Sequence, residues 1–231
     1  MKRHAAKART VVTGAALLSL ALSGCSALQI RTAERDSGPV SVAVHEKAGE
    51  NPTTPPPDDG IPDGMKEVSV NLGAECPVDV SVAMTDDWSE ASASEEFHSF
   101  SRGTSIADSD TILINCTKGY DESPQSIVDA KKKYTFSEPD SSVISQRTGS
   151  LAAGSYWSFQ GVLGPTEIFA INQEPTVMYG ARIGYKTNGR LVDIGVEMRA
   201  LESDTEAADE FKKMLPTVTI DDELVPAPRF K

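Results

Sequence analysis

The sequence predicts an α+β domain with a central antiparallel β-sheet flanked by helices. Three observations carry this. Short runs alternating apolar and polar residues recur from Glu67 onward, two segments with helical spacing carry their own start signals, and a hairpin centred on Asn188-Gly189 puts an apolar residue at every inward position.

The chain opens with Lys2, Arg3, Lys7 and Arg9, then an apolar run from Val11 to Leu22 that is too short to stay in a bilayer as a spanning helix. Cationic residues followed by a short apolar stretch form an export leader. It ends in Leu22-Ser23-Gly24-Cys25, which resembles the lipobox of bacterial lipoproteins, where the cysteine thiol takes a diacylglyceryl group and becomes the new N-terminus. Residues 1–24 are therefore expected to be a signal peptide and Cys25 the lipidation site. The mature chain would be held on the extracytoplasmic face of the cell membrane by lipid. A plain secretory leader with an accidental cysteine leaves Leu22, Ser23 and Gly24 unexplained. Each buried acyl methylene contributes about 0.8 kcal/mol, so two or three chains hold a domain of this size at the surface.

Residues 25–64 hold charged and small side chains and the run Asn51-Pro52-Thr53-Thr54-Pro55-Pro56-Pro57-Asp58-Asp59-Gly60, with little to bury. This is expected to be a tether, reaching on the order of 35 Å as a flexible coil. Val40 to Val44 alternates like a short strand but has no partner nearby. Residues 65–231 are expected to form one domain with its own core. The leader holds four of the 22 basic residues and none of the 34 acidic ones, so the remainder carries a formal charge of −16. Such a surface repels nucleic acid and anionic headgroups and excludes functions built on a broad basic patch. With Cys25 lipidated, Cys76 and Cys116 remain as an even pair in an oxidising compartment, which reads as one disulfide, and no Cys-x-x-Cys spacing competes with it.

Val68 to Leu72 and Val78 to Met84 are the first strands, around the loop that contains Cys76, and Trp88 follows. Phe97 to Ser101 and Thr111 to Cys116 are the next two, separated by the polar segment 102–110. A helix starts at Ser123-Pro124, where serine caps free backbone donors and proline fits the first helical position. Ile127, Ala130 and Tyr134 give its buried stripe, and Lys131, Lys132 and Lys133 lie toward the negative end of its dipole, a solvated face rather than a binding patch.

Val143 to Arg147, Ser155 to Gly161 and Thr166 to Ile171 read as strands, followed by the hairpin from Thr176 to Ala200. Asn-Gly suits a two-residue turn because both positions need positive φ. Pairing outward sets Tyr185 opposite Val192, Ile183 opposite Ile194, Ala181 opposite Val196 and Tyr179 opposite Met198. The other face brings Arg182 between Asp193 and Glu197 among Gly180, Gly184 and Gly195, so one face makes core and the other is polar or partly covered. The last helix is expected to begin at Ser203, with Glu206 completing a capping box. Ala207, Phe211, Met214 and Leu215 would then pack on the apolar hairpin face before Pro216 stops the helix.

The segment Val80-Ser81-Val82-Ala83-Met84-Thr85-Asp86-Asp87-Trp88 and the closing helix Glu210-Phe211-Lys212-Lys213-Met214-Leu215-Pro216-Thr217-Val218 resemble, in order and apolar placement, the mycobacterial LpqN-type lipoproteins of the PsbP-like superfamily. The resemblance spans about Met65 to Ile220. It implies an α/β/α sandwich on a central antiparallel sheet and a non-enzymatic envelope protein that works by contacting other proteins. Where such a segment often carries proline before the tryptophan, this chain has Thr85-Asp86, and the cysteine pair has no counterpart in the resemblance.

Catalytic chemistry finds no footing. His98, beside Glu95 and Glu96, is the one histidine of the folded part, and Ser94, Ser99 and Ser101 are the nearby hydroxyls, but no nucleophile elbow, zinc-ligand spacing or phosphate loop accompanies them. Asp108-Ser109-Asp110 lacks the glycine and distant glutamate of a calcium loop. Asn115-Cys116-Thr117 fits a glycosylation acceptor but contains the paired cysteine. No metal or cofactor is expected. Trp88, Trp157, Tyr156 and Phe159 are expected in the core. Lining a pocket, they would instead mark a carrier of a lipid or glycolipid. The expectation is thus a monomeric, lipid-anchored adaptor for other envelope proteins, with the small-ligand carrier as the alternative and a hydrolase built on His98 behind both.

Overall fold

The Asn188-Gly189 turn organises the larger of two sheets. Both residues take positive φ, 48° and 74°, the conformation that matches a two-residue turn to strand twist. In the computed structural model, which describes residues 60–102 and 110–231, the turn joins β8 (Thr176–Thr187) to β9 (Arg190–Leu201). The register is the expected one, with Tyr185 against Val192, Ile183 against Ile194, Ala181 against Val196 and Tyr179 against Met198. β7 (Gly154–Leu163) and β6 (Ser142–Leu151) extend the sheet beyond β8, while β5 (Thr111–Lys118), β4 (Phe97–Ser101) and β3 (Ser89–Ala93) extend it beyond β9. Every pair is antiparallel.

The first two strands stay out of that sheet. β1 (Lys66–Leu72) and β2 (Cys76–Met84) pair with each other, and the short β10 (Thr219–Ile220) and β11 (Glu223–Leu224) complete a four-stranded sheet in the order β1-β2-β10-β11. The β10–β11 turn uses positive φ at Asp221 and Asp222, 49° and 65°.

One face of the large sheet carries Tyr179, Ala181, Ile183, Val196 and Met198, which join Val80, Val82 and Met84 of the small sheet and Ala207, Phe211 and Met214 of α2 (Thr205–Met214) in one buried cluster. The Phe211 ring centroid lies 5.8 Å from those of Tyr179 and Trp88. The opposite face is covered over β7 and β8 by α1 (Pro124–Tyr134), where Val128 packs with Trp157, Phe159, Leu163 and Met178. Close approach of α1 requires Gly184, since a Cβ there would strike the Pro124 carbonyl. An antiparallel sheet with a helix on each face is therefore the architecture, the second helix sharing its side with the small sheet. Cys76 on β2 and Cys116 on β5 lie at disulfide distance between the sheets, their Cα atoms 6.2 Å apart.

Three local expectations change. Residues 166–171 form a loop and the start of a tight turn rather than a strand, because β8 is already paired on both sides and offers no edge. In α1 the buried pair is Ile127 and Val128, while Tyr134 is 65% exposed. The N-cap of α2 is Asp204, one residue past Ser203: its carboxylate accepts the Ala207 N–H at 2.9 Å. The leader, Cys25, residues 26–59 of the tether with Val40 to Val44, and Asp108 and Ser109 lie outside the described residues.

Candidate functional site

The polar face of the β8–β9 hairpin holds charges that a fold of this size has no need to bury. Along β9 that face reads Asp193, Gly195, Glu197, Arg199, and both Arg182 on β8 and Asn115 on β5 pair opposite Gly195. A Cβ at Gly195 would strike the Arg182 guanidinium and the Asn115 amide oxygen, so the two side chains meet over the space that glycine leaves. Arg182 Nη2 contacts Glu197 Oε1, and Lys131 of α1 reaches Asp193 Oδ2 at 2.7 Å. Arg182 is 9% exposed and Glu197 2%. Burial pushes both the Arg182 and Arg199 guanidiniums below their ordinary value, with the charge of Asp193 opposing this at Arg182. Yet among the described residues Asn115 Oδ1, Arg182 Nε, Glu197 Oε2, Asp193 Oδ1 and Arg199 Nε find no hydrogen-bond partner. Orphaned buried polar atoms cost about 1 to 3 kcal/mol each, and a buried ion pair is a poor source of stability, so such a cluster points to a role beyond folding.

Above this floor opens a cleft of about 530 Å³ lined by Asn115, Arg182, Glu197, Leu113 and Met178 of the sheet, by Leu163, and by Tyr134, Ile168 and Phe169. The last three are exposed by 65%, 86% and 48%. A smaller hollow of about 320 Å³, lined by Phe97, Leu113, Asn115 and Thr117, continues across β5 to β4. The combined space is of ligand-pocket size. The loop that presents Ile168 and Phe169 is tied to the sheet by Arg199. Its Nη1 donates to the Phe169 carbonyl at 3.3 Å, and its guanidinium carbon lies 5.3 Å from the Phe169 ring centroid. Beyond it Asn172 and Gln173 take positive φ, 52° and 58°, and Ile171 N–H donates to Thr176 Oγ1 at 2.8 Å.

The aromatics singled out in the sequence are packed in the core and do not line this cleft. Trp157 and Phe159 are fully buried, with ring centroids 4.3 Å apart and Phe136 edge-on to both, and Tyr156 is 3% exposed. Trp88 donates through Nε1 to Glu210 Oε1 at 2.7 Å. Glu210 also accepts from Thr85 Oγ1 and from Arg102, fixing α2 to the end of β2. His98 Nδ1 sits 2.6 Å from Glu90 Oε1. Of the nearby hydroxyls, two are turned to backbone: Ser99 donates to the Ser92 carbonyl, and Ser94 accepts from Glu96 and Phe97 N–H. Among the described residues no group of three or more His, Cys, Asp or Glu side chains is placed to hold a metal ion, and no helix is long and apolar enough to cross a membrane. The Arg182–Glu197 juxtaposition and the polar hairpin face were legible from pairing alone. The rim was missed, although Ile168-Phe169 between Gly164-Pro165 and Pro175 carried the sign of an apolar loop tip.

No protein-family model matches the chain, and no curated protein matches it in sequence. Solved structures similar to it include LpqN, described as involved in cell envelope biogenesis of Mycobacterium tuberculosis, at 16% identity and TM-score 0.46 over 68% of this chain and 91% of that one. The Saccharomyces cerevisiae Ran-binding protein Mog1p matches at 10% identity and TM-score 0.41 over 68% and 96%. Cyanobacterial PsbP from Synechocystis matches at 8% identity and TM-score 0.37 over 68% and 92%. At these identities the likeness is one of chain path.

Proposed function

We propose that the chain is a non-catalytic, lipid-anchored binding module of the extracytoplasmic face, held through Cys25 and the residue 25–64 tether, that acts as an adaptor for other envelope proteins. The observation that supports it is the open cleft over Asn115, Arg182 and Glu197, each of which has a buried polar atom left unbonded among the described residues. Rigid floor and apolar rim suit recognition, because pre-organised polar groups lose little entropy on binding and exposed aromatics serve as anchors. The assignment to the LpqN-type lipoproteins belongs to this proposal and rests on the Val80–Trp88 and Glu210–Val218 segments. A carrier would use the sheet face near Trp157 and the glycine-rich side of the hairpin, and the packing of Trp157 against Phe159 and Phe136 favours the adaptor over it. What remains in favour of a carrier is the size of the cleft, which admits a polar headgroup.

The test is photo-crosslinking in native membranes from p-benzoylphenylalanine placed at Leu113, on the cleft wall. A discrete protein adduct that is lost when Glu197→Gln is added supports the adaptor. A lipid adduct with the same dependence moves the reading to the carrier, and adducts insensitive to Glu197→Gln overturn the cleft as the recognition site.

A further inference from the structure

We propose that the floor of the cleft receives a carboxamide, the side chain of a glutamine or asparagine on the partner protein, seated between Asn115, Arg182 and Glu197. The inference names the partner chemistry of the adaptor reading above and rests on that reading. Among the described residues, three of the buried atoms left without a hydrogen bond belong to side chains that line this cleft: Asn115 Oδ1 and Glu197 Oε2, which accept, and Arg182 Nε, which donates. Glu197 is 2% exposed and Arg182 9%, so neither is an ordinary surface group. The three converge on one place in the sheet, because Asn115 and Arg182 both pair opposite Gly195 and Glu197 follows next on that face of β9. A primary amide offers two N–H donors and a carbonyl acceptor. That is the complement of the free set, two acceptors and one donor. Other groups leave a remainder. An ammonium or guanidinium has no acceptor for Arg182 Nε, a carboxylate has no donor for Asn115 or Glu197, and a single hydroxyl or peptide group has one donor for two acceptors.

Charge selects the same occupant. At the floor Lys131 is held by Asp193 at 2.7 Å and Arg182 by Glu197, and Arg199 follows Glu197 on the same face of β9. Cations therefore outnumber anions there. Away from the floor the balance reverses, with Glu138 and Glu167 on the cleft wall and Asp140 against Gly164. A cation is drawn by these acids but meets Arg182 and Lys131 at the floor, while an anion is opposed by the acids and then by the Glu197 carboxylate. A neutral group is opposed at neither level, and burial magnifies both penalties for a charged one. Selectivity then comes from pairing: a group that leaves a buried donor or acceptor unbonded loses the cost of that atom's desolvation. The cleft, at about 530 Å³, has room for the amide and for the residues that flank it in the partner, whose apolar parts meet Leu113, Met178 and Phe169. The free atoms are shielded from bulk water, so the incoming amide completes its bonds through small rotations of the three side chains.

The experiment titrates the isotope-labelled mature chain with N-acetyl-L-glutamine N-methylamide and with the glutamate and lysine compounds that carry the same caps. Binding is read by nuclear magnetic resonance from the Gly195 backbone amide and the Asn115 side-chain amide. The glutamine probe should bind about ten-fold more tightly than either charged probe. Asn115→Asp sets a second carboxylate at the floor, and the preference should then pass from the glutamine probe to the lysine probe. Because that readout is a ratio within one variant, a general loss of stability does not imitate it. Charged probes that bind as well as glutamine overturn the carboxamide assignment, and a preference unchanged by Asn115→Asp overturns the place of Asn115 in it. Silence toward all three probes also overturns the assignment, while a Glu197-dependent protein adduct at Leu113 leaves the adaptor reading standing. A glutamine preference accompanied only by a lipid adduct at Leu113 fails the adaptor reading and overturns a partner protein as the source of the amide.

Discussion

Arg182 and Glu197 occupy the same face as a glycine, and Gly195 is what lets a guanidinium lie flat across the strands to reach a carboxylate that is 2% exposed. Truncating one partner leaves the other charge buried without its ion-pair partner. Glu197→Ala should therefore lower unfolding free energy by about 3 to 5 kcal/mol, whereas Arg182→Met with Glu197→Leu should fall close to wild type, since apolar replacement of a buried pair is often neutral. Urea unfolding of the three variants decides this, and a double variant as unstable as the single one would mean that the pair stabilises the fold outright. Asp110 gives a different residue-scale effect. Burial, with the charge of Asp204 adding to it, raises its carboxyl above the ordinary 3.8 despite Arg102 at 3.0 Å. The native state then holds this proton more tightly than the unfolded chain. Its stabilising contribution is complete below pH 3.8 and is lost as pH rises through the folded value. Wild type should lose stability relative to Asp110→Asn over that window, and a difference independent of pH in urea titrations would remove Asp110 as the group responsible.

At the scale of elements, what the sequence made legible follows from where the energy lies. The hairpin register was readable because a one-residue slip would exchange Ile183, Val196 and Met198 with Arg182, Glu197 and Arg199. β3 was not, since Ser89–Ala93 is exposed throughout and buries no apolar residue, holding its place by pairing to β4 and polar contacts such as Glu90 with His98. β10 and β11 have two residues each, too few for any period. Thr166 to Ile171 carried apolar residues but lies between β7 and β8, which pair directly with each other, and its exposed Ile168 and Phe169 became the rim of the cleft. Asp204 and Ser203 are both competent caps. Only the direction of the Ala207 N–H separates them, so helix existence was readable and its first residue was not. Asp204→Ala should cost about 1 kcal/mol, while Ser203→Ala should stay within about 0.5 kcal/mol as a surface change. Thermal unfolding of the two variants checks the assignment.

For the whole molecule, the division of the strands between two sheets was not readable, because β1 and β2 alternate as any half-buried strand does and nothing local says which sheet receives them. What joins the sheets is the cluster running from Val80 and Val82 through Phe211 to Tyr179 and Met198, together with Cys76 and Cys116 at disulfide distance. The cysteines sit on β2 and β5, 40 residues apart in sequence. A bond there would restrict the unfolded chain far more than it restrains the native one, whose sheets are already held by apolar packing. In the chain-entropy model a loop of that length is worth about 3 to 4 kcal/mol. Cys76→Ser with Cys116→Ser should accordingly lower the unfolding free energy from urea titration by that amount while leaving the near-ultraviolet circular dichroism of Trp88, Trp157 and Tyr179 intact below the transition. Non-reducing mass analysis of the native protein supplies the independent arm. Two free thiols there would remove the bridge, and the paired serine variant would then lose only the small packing contribution of two sulfurs between the sheets.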